Sequence, residues 1–180
     1  MISITRDIII YSKNEGFFIS KIEMTKFPKI KQTNLNLGCI PVNIENILKY
    51  YGNNSFTEAQ ILKLYFDGKI EKLSFPHIAR DFAKFIPNFE INFKSCQGSL
   101  DRLKIYLKLN LKKAIPTILS IKANFDPNNT HAVSFVGFNE YEFEYYDPGD
   151  GLVHRINYSN KDFENLVQAG EYHTLVIKKK

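Results

Sequence analysis

Gly38-Cys39-Ile40-Pro41-Val42-Asn43-Ile44-Glu45-Asn46-Ile47-Leu48-Lys49-Tyr50-Tyr51-Gly52 carries the strongest helical signal in this 180-residue chain. Ile40, Ile44, Ile47, Leu48 and Tyr51 recur at the spacing that lines one face of a helix. Pro41 falls in the first turn, where its missing N–H costs nothing, and Gly52 marks the stop. The reading puts Cys39 at the N-terminal tip of a buried helix. A helix tip favours negative charge through its dipole and its unpaired N–H groups, and hence favours a thiolate. Taken alone, Cys39 reads more readily as a buried structural cysteine than as a nucleophile.

The segments on either side set the fold class. Upstream, Asp7 to Tyr11 and Phe17 to Ile22 read as a hairpin around the turn-like Lys13 to Gly16, and Thr25 to Gly38 reads as loop. Downstream, Thr57-Glu58-Ala59-Gln60 is a capping-box pattern opening a helix to about Phe66. Ser74 with Pro76 opens another helix, burying Ile78, Phe82 and Phe85. Ser99 opens one through Leu100, Leu103, Tyr106 and Leu107. After Lys113 the pattern turns to strands: Ile115 to Ile121, His131 to Phe138, Tyr141 to Tyr146, Leu152 to Tyr158 and Tyr172 to Ile177, with a short helix over Ser159 to Gln168. The His131 strand is almost continuously apolar, the mark of a strand covered on both faces. Helices first and strands afterwards predict an α+β fold, with a helical N-terminal half packed against an antiparallel sheet. With no repeat or linker, residues 1–180 read as one domain: a hairpin extension over 1–30 and a core over 31–180.

Composition narrows the function. Hydrophobic residues at 44% and charged residues at 24% describe a soluble globular protein. The net charge of +5 is concentrated in Lys178 to Lys180 and between Lys104 and Lys113. A solvated lysine-rich helix face accounts for it, because Arg6, Arg80, Arg102 and Arg155 are scattered and no nucleic-acid motif accompanies them. No nucleic-acid or membrane partner is therefore expected. Ile8-Ile9-Ile10 is too short for a signal segment, and a cytoplasmic location, where thiols stay reduced, is the expectation. Two cysteines build neither a disulfide framework nor a zinc site. His77, His154 and His173 are dispersed and read as surface positions, so no metal or cofactor is expected.

One constellation remains. His131 starts a strand and Asp147 ends the next, just before Pro148-Gly149. If the two strands form a hairpin, the start of one lies beside the end of the other. Imidazole and carboxylate then become neighbours although 16 positions separate them. Such a carboxylate orients the ring and stabilises its charged form. Asp150 is a weaker rival, since it lies past the turn. Gln32, in the loop before Cys39, offers an amide N–H toward an oxyanion, beside the backbone N–H of Cys39. Cys96 has no obvious partner.

Gln32 to Pro41 running on to Gly52, Ala114 to Ile121, Thr130-His131-Ala132-Val133 to Phe138, and Tyr145-Tyr146-Asp147-Pro148 together resemble the bacteriocin-processing peptidase family. These are papain-like cysteine peptidases best known as domains that trim double-glycine leader peptides. The resemblance covers about Lys31 to Ile177. It implies that Cys39 attacks a carbonyl, that His131 takes its proton and later protonates the leaving group, that Asp147 orients His131, and that Gln32 helps bind the oxyanion. It also implies a peptide or protein substrate. Two positions depart from the family: Ile40 stands where a glycine usually follows the cysteine, and Gln32 lies slightly farther upstream. Asn34 or Asn36 could therefore supply the donor instead. The same triad logic serves acyltransferases of the butirosin-biosynthesis type and glutamine deamidases, while a non-catalytic peptide-binding module typically lacks the cysteine.

Overall fold

A computed structural model describes residues 3–5, 8–12, 19–96, 99–123, 130–159, 161–168 and 171–180, with side chains described from residue 23 onward except at 168. The expected turn Lys13 to Gly16, the loop Asn124 to Asn129 and the Gln97-Gly98 pair lie outside these residues. The strands are β1 (Ser3–Thr5), β2 (Ile8–Ser12), β3 (Ile19–Glu23), β4 (Phe89–Ser95), β5 (Thr117–Lys122), β6 (Thr130–Asn139), β7 (Glu142–Asp147), β8 (Leu152–Asn157) and β9 (His173–Lys179). The helices are α1 (Cys39–Tyr50), α2 (Glu58–Phe66), α3 (Phe75–Asp81), α4 (Leu100–Lys112) and α5 (Lys161–Gln168), and a 3₁₀ turn over Phe82–Phe85 extends α3. The fold is α+β, as the sequence predicts.

All nine strands join one antiparallel sheet, and β6 is its hub. β5 pairs along the first half of β6 and β3 along its end, while β7 occupies the opposite edge and carries β8. β9 lies beside β5 and β4 beside β9. The N-terminal strands are therefore added to the sheet through β3. The two faces of β6 are covered by different helices. Ser134 hydrogen-bonds to Asn43 of α1, whereas the adjacent Phe135 packs edge-on against Phe163 of α5. Double coverage explains why Ala132 to Phe138 is buried without alternation.

The predicted division into a helical first half and a sheet second half is less clean than expected. β4 interrupts the helical half and is absent from the sequence reading. Phe89, Ile91 and Phe93 alternate there with Glu90, Asn92 and Lys94, a period-2 signal on a strand paired only on one side.

α1 is buried almost all round. Ile44, Ile47 and Leu48 are fully enclosed, as the periodicity predicts, but so are the polar Asn43 and Asn46, and Glu45 nearly so. Each polar group has a partner. Asn43 Nδ2 donates to the carbonyls of Cys39 (2.7 Å) and Ala132 (2.8 Å), and its Oδ1 accepts from Ser134 Oγ (2.5 Å). Asn46 Oδ1 accepts from the Ile30 N–H (3.0 Å) and its Nδ2 donates to the Ile30 carbonyl (3.2 Å). α1 ends where Gly52 takes φ +78°, a left-handed conformation that strains any residue with a Cβ. The capping box at Thr57 and Gln60 forms as read.

Replacing Asn43 by Leu keeps the volume but removes the side-chain partner of the Cys39 and Ala132 carbonyls and of the Ser134 hydroxyl. At about 1–3 kcal/mol for each orphaned buried group, partly relieved by relaxation, Asn43→Leu is expected to lower unfolding stability by about 2–4 kcal/mol. The measurement is the urea midpoint at unchanged m-value, and a midpoint equal to that of the unmodified chain would refute the assignment.

Candidate active site

Cys39 is the first residue of α1, and Gly38 stands at its N-cap. Gly38 has no side chain to cap the helix, so the N–H groups of Cys39 and Ile40 find no acceptor among the described residues. Glycine is required there by close approach. A Cβ at residue 38 would come to 2.1 Å from Glu58 Oε1 and 2.5 Å from the Asn34 carbonyl. Glu58, in the first turn of α2, is turned toward this loop. Its carboxylate accepts from Thr33 N (2.8 Å), Thr33 Oγ1 (2.8 Å) and Asn34 N (2.9 Å), while its own N–H donates to Glu45 Oε2 (2.6 Å). The loop is also tied to the β7–β8 turn, where the Gln32 N–H donates to the Pro148 carbonyl (2.9 Å). The backbone leading to Cys39 is thus gripped from α1, α2 and the far turn.

β6 and β7 form the expected hairpin, turned by Asn139, whose Oδ1 accepts from the N–H groups of Tyr141 and Glu142. It brings His131 and Asp147 together. His131 Nε2–H donates to Asp147 Oδ1 at 2.6 Å, and the same oxygen accepts from Gly149 N at 2.7 Å. Both residues are buried, at 7% exposure each. The Cys39 thiol lies in one cleft with the same imidazole and acts on its charge. With Nε2 committed to Asp147, Nδ1 is the nitrogen left for the sulfur.

The electrostatics follow from these contacts. Burial acts to lower the His131 pKa, but the Asp147 hydrogen bond, reinforced by the Cys39 contact and both charges, outweighs it and raises the value from 6.5 to about 9. Burial conversely pushes Asp147 up, and the bond to His131, its charge and the Gly149 N–H hold the carboxyl below its ordinary value. A raised imidazole contributes stability in full below its ordinary pKa of 6.5 and loses it as pH rises through about 9. A depressed carboxyl contributes above its ordinary value and loses that contribution as pH falls through the lowered one. The charged pair therefore spans neutral pH.

The other expected site residues are placed differently. Gln32 is buried, and its Nε2 donates to the Leu35 carbonyl at 3.3 Å rather than into the cleft beside Cys39. Its Oε1 accepts no hydrogen bond among the described residues. Asn34 turns its Oδ1 to the N–H groups of Asn36 and Leu37, which makes it a loop-shaping residue. Asn36 is exposed and faces the cleft. Asp150 pairs with His154 (2.7 Å), not with His131. Cys96 is buried, and burial pushes its thiol pKa up.

Two histidines depart from the surface reading. His77 is half-buried, with Nδ1 at 2.7 Å from Ser74 Oγ. His173 lies in the wall of the cleft that holds Cys39 and His131, edge-on to Phe93. Its position depends on β9 pairing with β5, a contact between residues more than fifty apart in sequence that has no local signature. The cleft has a volume of about 410 Å³, and Leu37, Ile40, Leu73 and Phe75 supply its apolar wall.

Solved structures share this fold. A Bacillus anthracis protein designated a C39-like peptidase superposes with a TM-score of 0.65 at 17% identity, over 89% of this chain and 98% of that one. The peptidase domain of Streptococcus ComA, a bi-functional ABC transporter involved in a quorum-sensing pathway, superposes with a TM-score of 0.59 at 16% identity, over 84% and 97% respectively. No family model matches the sequence, and no curated protein does. At these identities the likeness is one of fold alone. No helix among the described residues is long and apolar enough to cross a membrane.

Asp147→Asn removes the charge that outweighs burial at His131. The midpoint of the His131 ring signals in an NMR titration is then expected to fall from about 9 toward or below the ordinary 6.5. An unmoved midpoint would mean that the carboxylate does not hold the ring's proton.

Proposed function

We propose that this chain is a cysteine peptidase that hydrolyses a peptide bond through an acyl-enzyme on Cys39. The observation that carries the proposal is the His131 imidazole held by Asp147 at the cleft that also contains the Cys39 thiol. The likeness in fold to two proteins named as peptidases supports a peptide substrate.

The chemistry follows from the side chains in place. With the thiol proton on His131, the Cys39 sulfur attacks the scissile carbonyl carbon and its π electrons move onto oxygen. The N–H of Cys39, without an acceptor among the described residues, is suited to stabilise that oxyanion, with the cleft-facing Asn36 as the side-chain donor in place of Gln32, whose amide is turned to the Leu35 carbonyl. The C–N bond breaks, the imidazolium gives its proton to the departing amine, and a thioester remains on Cys39. Water then attacks the thioester and passes a proton to His131. The C–S bond breaks, the acid product leaves and the thiolate–imidazolium pair is restored. Asp147 orients the ring and balances its charge throughout, and no metal or cofactor enters any step.

An intact Cys39 sharing a cleft with a carboxylate-held imidazole favours an enzyme over a peptide-binding module. Transfer of the acyl group to an amine, or deamidation of a glutamine side chain, would use the same first steps and differ only in the leaving or accepting group.

A thiol-directed probe at neutral pH is expected to label the half-exposed Cys39 well ahead of the buried Cys96. A peptide library is expected to be cut by the unmodified chain and to be cut at least about 10³-fold more slowly by Cys39→Ala. Ammonia release without chain cleavage would indicate a deamidase, and equal labelling of both cysteines would overturn the enzyme assignment.

A further inference from the structure

His131 borders two cavities. The first contains Cys39, and no carboxylate lines it among the described residues. The second, about 420 Å³, is lined by Gln32, Leu35, Asn36, Asp147, Gly149 and Asp150 together with His131, but Cys39 is not part of it. Two cavities of similar size meeting at one imidazole correspond to the two halves of a substrate.

Reaction geometry assigns the halves. The acyl half becomes bonded to the Cys39 sulfur and so occupies the cavity that contains Cys39. The departing nitrogen must receive its proton from His131, within hydrogen-bond reach of the ring. The leaving half therefore extends over the imidazole, into the cavity that reaches His131 and not the sulfur.

Much of the wall of this second cavity is apolar, with Leu35 among its lining, and its charged groups are two carboxylates. Asp147 is engaged with His131 and Gly149. Asp150 accepts from Leu152 N (2.8 Å) through Oδ1 and meets His154 Nε2 (2.7 Å) through Oδ2, yet its side chain is 43% exposed and open to a further donor. The stem of Lys31 runs beside Gly151 and does not line the cavity. An apolar wall with an exposed carboxylate suits a long basic side chain, whose stem packs on the wall while its head brings N–H donors to the carboxylate.

We infer that the second cavity is the leaving-group subsite and that Asp150 makes it select lysine or arginine immediately after the scissile bond. This rests on the peptidase reading above. When the C–N bond breaks and His131 protonates the nitrogen, the freed amine keeps its basic side chain at Asp150. Its departure opens the same cavity to the water that attacks the thioester.

Two measurements test the inference, and the second needs no turnover. Peptides identical except for lysine, arginine, norleucine or glutamate after the scissile bond are expected to show kcat/KM roughly tenfold higher for the basic pair than for norleucine. Asp150→Asn is expected to bring that ratio near one, and Asp150→Lys to shift preference toward glutamate. In the full chain carrying Cys39→Ala, lysine amide is expected to bind about fivefold or more tighter than norleucine amide, followed by NMR shifts of the His131 ring signals, with the difference lost on adding Asp150→Asn. Equal binding of the two amides overturns the inference whether or not any peptide is cut. Selective binding without cleavage supports the subsite and removes the peptidase reading instead. Cleavage with no basic preference leaves the peptidase and removes the subsite.

Discussion

One buried amide, that of Asn43, sets the geometry on which the candidate site depends. The nucleophile position sits on a helix and the imidazole on a strand whose residues lie some ninety positions later in the chain. Nothing covalent nearby fixes their separation. Asn43 joins the two directly: its amide holds the carbonyl of Cys39 itself and the carbonyl of Ala132, the neighbour of His131. Ser134 donates to the remaining oxygen, so the amide is satisfied on both ends in a fully buried setting. Inside a protein such a network is strong when complete and costly when broken, which makes the helix-to-strand register close to all-or-none. A shift of about 1 Å between reacting groups is enough to cost large factors in rate, so register of this kind is the condition for any chemistry at this tip.

A second set of ties acts on the loop rather than the helix. The segment from Ile30 to Gly38 is held by Asn46 at its start, by Pro148 through the Gln32 N–H, and by Glu58 at Thr33 and Asn34. All four of these contacts terminate on loop N–H groups, which keeps the loop in place without an apolar core of its own. The tight seat of Gly38 against Glu58 explains why glycine occurs before Cys39 rather than after it in this chain. Ile40, freed from that constraint, lies in the apolar wall of the cleft. Ile40 after the cysteine therefore shapes the lining of the cleft, while the N–H groups of Cys39 and Ile40 at the tip of α1 find no acceptor among the described residues.

The parts of this arrangement that were legible in the sequence are those written locally. Helix α1 announces itself by the spacing of Ile44, Ile47 and Leu48, and its end by Gly52. The hairpin that joins His131 to Asp147 follows from two strands flanking Asn139. The positions that escaped depend on partners far away in sequence. β4 alternates visibly, but it is recognisable as a strand only beside β9, more than eighty residues later. His173 alternates with apolar neighbours like a surface residue, and only the β9–β5 pairing turns it into the cleft wall. The polar residues of α1 were read past for a different reason. Asn43, Asn46 and Glu45 look like the solvent face of an amphipathic helix, and they are buried because each serves a backbone group of another segment.

The charge state of His131 fixes the order of events under the peptidase reading. A buried imidazolium is unfavourable by itself, and here burial does oppose the charge. The opposition is overcome because the ring lies between a carboxylate and a sulfur, so that the cation is balanced on both sides. A ring that keeps its proton up to about 9 holds that proton at neutral pH before substrate arrives. His131 serves first as the acid that releases the amine, and it becomes a base only when water replaces that amine. The ring must consequently be reachable from the leaving half of the substrate and from water in turn, and the cavity beside Asp147 and Asp150 is the route that borders it without crossing the sulfur.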